Sequence, residues 1–330
     1  MKAQMKKHYG LDTIHVEKSL VGAGSDTYFV EVERKRYVVK FPSVSEINHP
    51  EAEPKLCEFL LSQGIPVCRF IKNSCGTWVT PADDGRMFHV QEFISGKLYD
   101  WNTAPEWLLK ESAELLGKIH RALKNYRGLP VGIGASFFQH MTPENALHSY
   151  EKTLAIAREK GDNEIEDDLL YRIDLIKRFP KYYFDMDKLT CQATHGDYFI
   201  SQLLCGEESI EAVIDWTTAC VHPVVWEIMR SYVYAASECA DGNIDTAGLS
   251  KYFENYCSFA KLNAYDLQQA ARLFYYQIAV CDYYHQYYTS TADNREIYLR
   301  QAVFSTRLMK WFEKHVEEIA DVLARKGECF

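Results

Sequence analysis

The chain has 330 residues, 47% of them hydrophobic and 25% charged, enough for one large domain or two lobes and too apolar for long disorder. Its 46 acidic against 37 basic side chains leave a formal net charge of −9, which argues against an extended nucleic-acid surface and fits a neutral or cationic small-molecule partner. The ten cysteines form no CxxC pair and read as small buried hydrophobes in a reducing compartment. The basic N-terminus, MKAQMKKHYGLDTIHVEK, has no apolar core of a signal peptide. No apolar run approaches the ~20 residues that span a bilayer, so a cytoplasmic protein is expected.

From Lys18 to about Phe93 the sequence predicts strands. Two β-rich runs, Thr27 to Val32 and Arg36 to Phe41, flank the polar turn Glu33-Arg34-Lys35. GTWVTPADDGRMFHVQEF predicts a second hairpin turning at Asp84-Gly85. Between them, Leu56, Cys57, Leu60 and Leu61 recur at helical spacing, and Gly64 and Pro66 end that helix. After Gly96 helices take over: one starting at Pro105 through PEWLLKESAELLGKIHRAL, one in NALHSYEKTLAIAREKG, and most of the chain from Val225 onward. One strand-like patch, Leu203 to Ile214, interrupts them. The expected fold is therefore α+β and two-lobed: a small antiparallel sheet with one helix over residues 1–94, and a large, mainly helical lobe over 95–330.

Phosphoryl transfer needs phosphates held in place, their charge neutralised, and a carboxylate beside the attacking hydroxyl. Four segments could supply these parts in chain order. In VGAGSDTYFV, Gly22 and Gly24, with Ser25 beside them, would let backbone amides approach phosphate oxygens; a plain hairpin turn is the competing reading. Lys40 in YVVKF sits in an apolar strand and either faces solvent by alternation or reaches a partner. As a phosphate ligand it would pair with a helix carboxylate. Glu53 extends the buried stripe and is the first candidate; Pro54 would make it a cap residue, so Glu51 stays in reserve. In HGDYFISQ, Asp197 could orient or deprotonate a hydroxyl, and in VIDW, Asp215 could ligate Mg²⁺. The competing reading is a surface turn with capping aspartates.

HGDYFISQ followed by VIDWTTACVHP resembles the catalytic and metal-binding segments of the aminoglycoside phosphotransferase and choline kinase superfamily, whose fold is similar to that of protein kinases. The family pattern is HGD, four variable residues, Asn, then an IDW-type motif. The resemblance places the catalytic base at Asp197 and the metal ligands at Gln202 and Asp215, with Gln202 standing where the family has Asn. It extends along most of the chain. YVVKF resembles the ATP-binding lysine strand, EPKLCEFLLSQGIPV the lysine-pairing helix, and FHVQEFISGKLY the hinge, where Gln91, Glu92 and Phe93 would hydrogen-bond adenine. LLGKIHRAL resembles the helix carrying a Leu-His pair; His195 would support the catalytic loop, and Glu227 would be a structural anchor. ATP and Mg²⁺ are the implied cofactors.

The resemblance implies an ATP-dependent kinase moving the γ-phosphate to a hydroxyl of a small molecule that is aminoglycoside-, choline- or homoserine-like. The alternative is a catalytically weak or inactive kinase-fold protein with a scaffold role, as in a spore-coat-kinase-related member, with Gln202 marking relaxed metal binding. For the acceptor, CDYYHQYY places Asp282, Tyr283, Tyr284, Tyr287 and Tyr288 on an aromatic helix. Cation–π binding of a cationic head and ordinary core packing both explain it. Glu238, Asp241 and Asp282 could hold ammonium groups or line a solvated face.

Overall fold

The computed structural model describes residues 1–18, 25–42, 51–290 and 295–326. Helix α1 (Lys2–Tyr9) precedes strands β1 (His15–Lys18), β2 (Asp26–Val32) and β3 (Lys35–Phe41). Helix α2 (Ala52–Ser62) is followed by β4 (Phe70–Ile71), β5 (Val79–Pro81) and β6 (Met87–Glu92). All strand pairs here are antiparallel, in the order β1-β2-β3-β6-β4, with β5 also on β6. Alternation puts Val30, Val32, Val39, Phe41, Phe88 and Val90 on one face, where Met5 of α1 packs into the same cluster. Lys40 therefore falls on the opposite face, level with His89 across the β3–β6 ladder.

Helices α3 (Glu106–Leu123), α4 (Ala135–His140), α5 (Pro143–Lys160) and α6 (Asn163–Lys177) follow, then β7 (Cys191–Thr194). A 3₁₀ turn at Ile200–Gln202 leads into the hairpin β8 (Leu203–Cys205) and β9 (Ile210–Val213), the strand patch expected from the sequence. Strand β10 (Cys220–Pro223) pairs with β7, and both are strands that the sequence pattern does not reveal. The chain ends in α7 (Val224–Ala235), α8 (Thr246–Cys257), α9 (Ala264–Val280), α10 (Tyr283–Thr289) and α11 (Glu296–Lys326). The result is α+β: an antiparallel sheet in the N-terminal region, mostly helices after it.

Contacts divide the chain into two compact units, Met1–Leu98 with Ser201–Ala219, and Tyr99–Ile200 with Cys220–Phe330. In the first, the β8–β9 hairpin is tied to earlier residues by hydrogen bonds between Lys97 and Cys205 (2.8 and 2.9 Å) and from Val213 N–H to Pro66 O (2.8 Å). In the second, α7 is buried at every residue but Arg230, and α3 and α8 approach closely at Gly117. A Cβ at Gly117 would lie 2.6 Å from the Tyr256 carbonyl oxygen, so only glycine allows that contact. Side chains close the helix starts: Thr142 caps α5, Asp245 caps α8, and Asn263 with Asp266 forms a capping box on α9. Nine described cysteines are free thiols. Among the described residues, no helix is long and apolar enough to cross a membrane.

Candidate active site

Lys40 and Asp215 are 175 positions apart in sequence and meet in the first unit. The lysine Nζ donates to Asp215 Oδ1 at 2.7 Å, with the lysine side chain 13% exposed and the aspartate 40%. An ammonium this enclosed requires a counter-charge, and the aspartate supplies it. Asp215 adopts φ 63° and ψ 63°, a left-handed conformation rare for a side-chain-bearing residue. Such a conformation costs on the order of 1–3 kcal/mol and persists where surrounding contacts enforce it.

Those contacts come from the next two residues. Thr217 donates its hydroxyl to Asp215 Oδ1 at 2.9 Å. Trp216 is buried; its backbone N–H donates to Glu53 Oε1 at 3.1 Å and its indole N–H to Val213 O at 3.1 Å. Glu53 thus braces the IDW turn that presents Asp215 to Lys40. Helix α2 begins at Ala52, so Pro54 is its third residue, still within the first turn where no N–H partner is needed. Glu53 is accordingly helical and buried. Glu51 is the helix cap and pairs with Lys55 at 3.4 Å.

Gln202 ends the 3₁₀ turn before β8. Its carbonyl accepts the N–H of Ile214 at 3.0 Å, so Gln202 and Asp215 stand at the same end of one hairpin. Among the described residues, no cluster of three or more His, Cys, Asp or Glu side chains could cage a metal. One carboxylate and one carboxamide of hard oxygen fit a cation of the Mg²⁺ kind that arrives with phosphates and keeps several waters.

Of the other nucleotide-site candidates, Gly22 and Gly24 lie outside the described residues, and Ser25 is half-buried just before β2. The expected hinge is the end of β6. The N–H of Glu92 donates to Arg69 O (2.9 Å) and that of Phe93 to Arg36 O (3.2 Å), so both amides are taken within the sheet region. The Gln91 amide donates to His89 Nε2 at 3.3 Å. Burial, reinforced by the Lys40 ammonium and opposed by Asp215, pushes the His89 imidazole down to about 3, so it lies neutral beside the ion pair.

The second unit holds the HGD loop. Gly196 has φ 82°, the left-handed turn that suits glycine. Glu227, fully buried on α7, accepts the N–H of Gly196 (2.6 Å) and of His195 (3.3 Å) and a hydrogen bond from His120 Nε2 (2.8 Å). His120 Nδ1 meets the Tyr256 hydroxyl at 2.9 Å, across the close α3–α8 contact. Burial opposes the Glu227 charge, but the His120 hydrogen bond and the surrounding imidazoles hold the carboxyl below its ordinary range. Glu227 is the anchor of the loop, and Tyr198, donating to Ser112 O at 3.0 Å, pins the loop's far side.

Asp197 has a partner that the sequence reading missed. Arg230 donates from Nε and Nη2 to Asp197 Oδ1 at 3.0 and 2.5 Å. Its signal was present: an arginine in the otherwise apolar VVWEIMRSYVYA, three positions after Glu227 and so on the same helix face. In the aromatic helix α10 only Tyr284 is buried, and several polar groups are engaged by neighbours. Tyr284 donates to Asp168 and Tyr288 to Asp162, both at 2.6 Å, while Asp282 accepts from Ser149 (2.7 Å), Thr153 (2.8 Å) and the His285 N–H (2.9 Å).

A lysine–aspartate pair on a braced turn and an HGD loop held by a buried glutamate recur in the order the phosphotransferase pattern requires. A model of the phosphotransferase enzyme family matches residues 16–266. This chain belongs to that family. Membership makes it a small-molecule phosphotransferase, with kinase-like fold neighbours. It is similar to a spectinomycin phosphotransferase solved with ADP and spectinomycin, at 18% identity and TM-score 0.60, over 98% of this chain and 97% of that one. It also resembles an amicoumacin kinase solved with AMP-PNP, Ca²⁺ and Ami, at 15% identity and TM-score 0.64, over 92% and 91%. A choline kinase from Streptococcus pneumoniae matches at 15% identity and TM-score 0.52, over 92% and 96%. No curated protein gives a significant match.

Proposed function

We propose that this phosphotransferase is an ATP-dependent kinase that moves the γ-phosphate to a hydroxyl of a small molecule. The observation that carries the reading is the Lys40–Asp215 pair, closed at 2.7 Å on a turn braced by Glu53. The two charges neutralise each other, and each is the complement of one part of a metal–nucleotide complex. Lys40 would hold phosphate oxygens, and Asp215 and Gln202 would hold Mg²⁺. When bound, Mg²⁺ supplies positive charge against the β- and γ-phosphates. The nucleotides solved with the spectinomycin phosphotransferase and the amicoumacin kinase, ADP and AMP-PNP, support an adenine nucleotide here.

Asp197 would orient the acceptor hydroxyl. Its oxygen attacks the γ-phosphorus, the bond to the β–γ bridging oxygen breaks, ADP leaves, and the hydroxyl proton passes to the Asp197 carboxylate. Glu227 and His120 keep the loop rigid, so the carboxylate needs little reorganisation before transfer.

The second reading, a weak or inactive kinase-fold protein, draws on two specific features: Gln202 in the Asn position, and Arg230 on Asp197. A thermal-shift titration with ATP, with and without Mg²⁺, separates the two. The kinase reading expects stabilisation that grows with Mg²⁺ and ATP consumption with at least one hydroxyl compound. Metal-independent stabilisation without consumption across a broad panel is the outcome that would favour the second.

A further inference from the structure

Asp197 and Arg230 form more than an ion pair. Nε and Nη2 of Arg230 reach the same oxygen, Oδ1, and among the described residues nothing donates to Oδ2. The Arg230 side chain is 13% exposed, and its guanidinium lies 4.5 Å from the Tyr234 ring centroid, 4.9 Å from Phe199 and 5.8 Å from Trp226. A set of aromatic faces ending in a carboxylate is the chemistry that takes an ammonium or quaternary ammonium head. Here the chain's own cation fills it.

The chain's own arginines also cover aromatic faces elsewhere in this unit. Arg300 lies over Trp101 at 4.3 Å and pairs with Asp100, and Arg295 lies over Tyr287 at 5.4 Å. Of the acidic side chains that could receive ammonium groups, Glu238 accepts from Tyr232 at 2.5 Å and Asp282 from Ser149 and Thr153, while Asp241 is exposed. Arg230 itself stays charged; burial opposes it, but the Asp197 carboxylate and nearby tyrosines push its pKa further up.

We propose that Arg230 sets the charge class of the acceptor: it occupies the cation box beside Asp197, keeps Oδ1, and leaves Oδ2 to a hydroxyl whose neighbouring groups are neutral or anionic. The inference rests on the kinase reading and goes beyond it, because that reading is equally compatible with a cationic acceptor. With the Asp197 charge already matched by Arg230 and the aromatic faces already covered by it, a cationic head gains neither there, whereas a neutral or anionic neighbour does not need them. Arg230 is thereby a specificity-determining and positioning residue, acting on the acceptor through the box it fills and the oxygen it holds.

The test compares near-isosteric hydroxyl compounds that differ in charge: aminopropanol, propanediol and hydroxypropionate, then choline, glycerol and glycerate. Mg²⁺-dependent ATP consumption is followed for the full chain and for Arg230→Gln and Arg230→Lys. The parent is expected to show kcat/KM about tenfold or more higher with a neutral or anionic compound than with its cationic counterpart. Arg230→Gln, if folded by its Tm, narrows that ratio, and Arg230→Lys keeps it. A purely structural role would lower all rates together and leave the ratio unchanged.

The inference is overturned if the parent prefers cationic compounds, or if folded Arg230→Gln keeps the parent's ratio. It is also overturned if the parent gains Tm with ATP in an Mg²⁺-dependent way yet uses none of the neutral or anionic compounds. Should Arg230→Gln not fold, the parent's ranking decides alone. Failure of the kinase reading looks different: a thermal shift with ATP that is absent or independent of Mg²⁺, and no ATP consumption with any compound of the panel.

Discussion

Glu227, in the first turn of α7, accepts the backbone N–H of Gly196 at 2.6 Å, 31 positions earlier in the chain. One fully buried carboxylate thus satisfies two loop amides and an imidazole at once. Removing it leaves those donors buried without an acceptor. Glu227→Ala is expected to cost about 3–5 kcal/mol in urea unfolding, and Glu227→Gln, which keeps one acceptor oxygen, clearly less.

The same residue fixes a pH dependence. The folded carboxyl lies below its ordinary value of 4.5, so its contribution is fully present above that pH and is lost as pH falls toward the lower folded value. Urea midpoints measured from neutral to acid pH are expected to drop below about 4.5 in the parent, with a shallower drop in Glu227→Gln.

Lys40 is held by Asp215 rather than by packing alone. Lys40→Met keeps the strand's bulk and removes the charge. ATP affinity read by thermal shift is expected to fall about tenfold or more, the size of one charge-assisted hydrogen bond. Asp215→Asn is expected to abolish the Mg²⁺-dependent part of that shift and spare the rest.

Gln202 differs from asparagine by one methylene, and its backbone is fixed by the Ile214 hydrogen bond. Gln202→Asn withdraws the carboxamide toward the hairpin end. If the longer side chain limits metal binding, Mg²⁺ titrations of ATP consumption will reach half-maximum at a lower concentration in Gln202→Asn. An unchanged titration would remove Gln202 from the metal site.

Local patterns were legible and long-range pairings were not. Alternation around Lys40, the turn at Asp84-Gly85 and the helical stripe of Leu56, Cys57 and Leu60 all follow from neighbouring residues, and the structure has each. Strands β7 and β10, CQAT and CVHP, are too short and mixed to show a period, and they exist because they pair with each other. Helix α1, KAQMKKHY, has one deeply buried apolar residue, Met5, and gave no helical stripe. HGD and IDW drew attention to Asp197 and Asp215 as candidates, while the residues that hold them were harder to see. Glu53 meets Trp216 across 163 positions, and Arg230 meets Asp197 across 33. The sequence expectation divides the chain once, at 94/95; the compact units instead place Ser201–Ala219, and with it Gln202 and Asp215, with the N-terminal residues.

The account rests on Asp197 as the group that receives the acceptor hydroxyl. The most direct test is steady-state ATP consumption by the parent and Asp197→Asn with Mg²⁺ and a panel of small hydroxyl compounds, alongside the ATP thermal shift. The account predicts that Asp197→Asn loses about a hundredfold or more in kcat, as loss of a general base does, while the thermal shift persists. Turnover by Asp197→Asn at the parent's rate would contradict it.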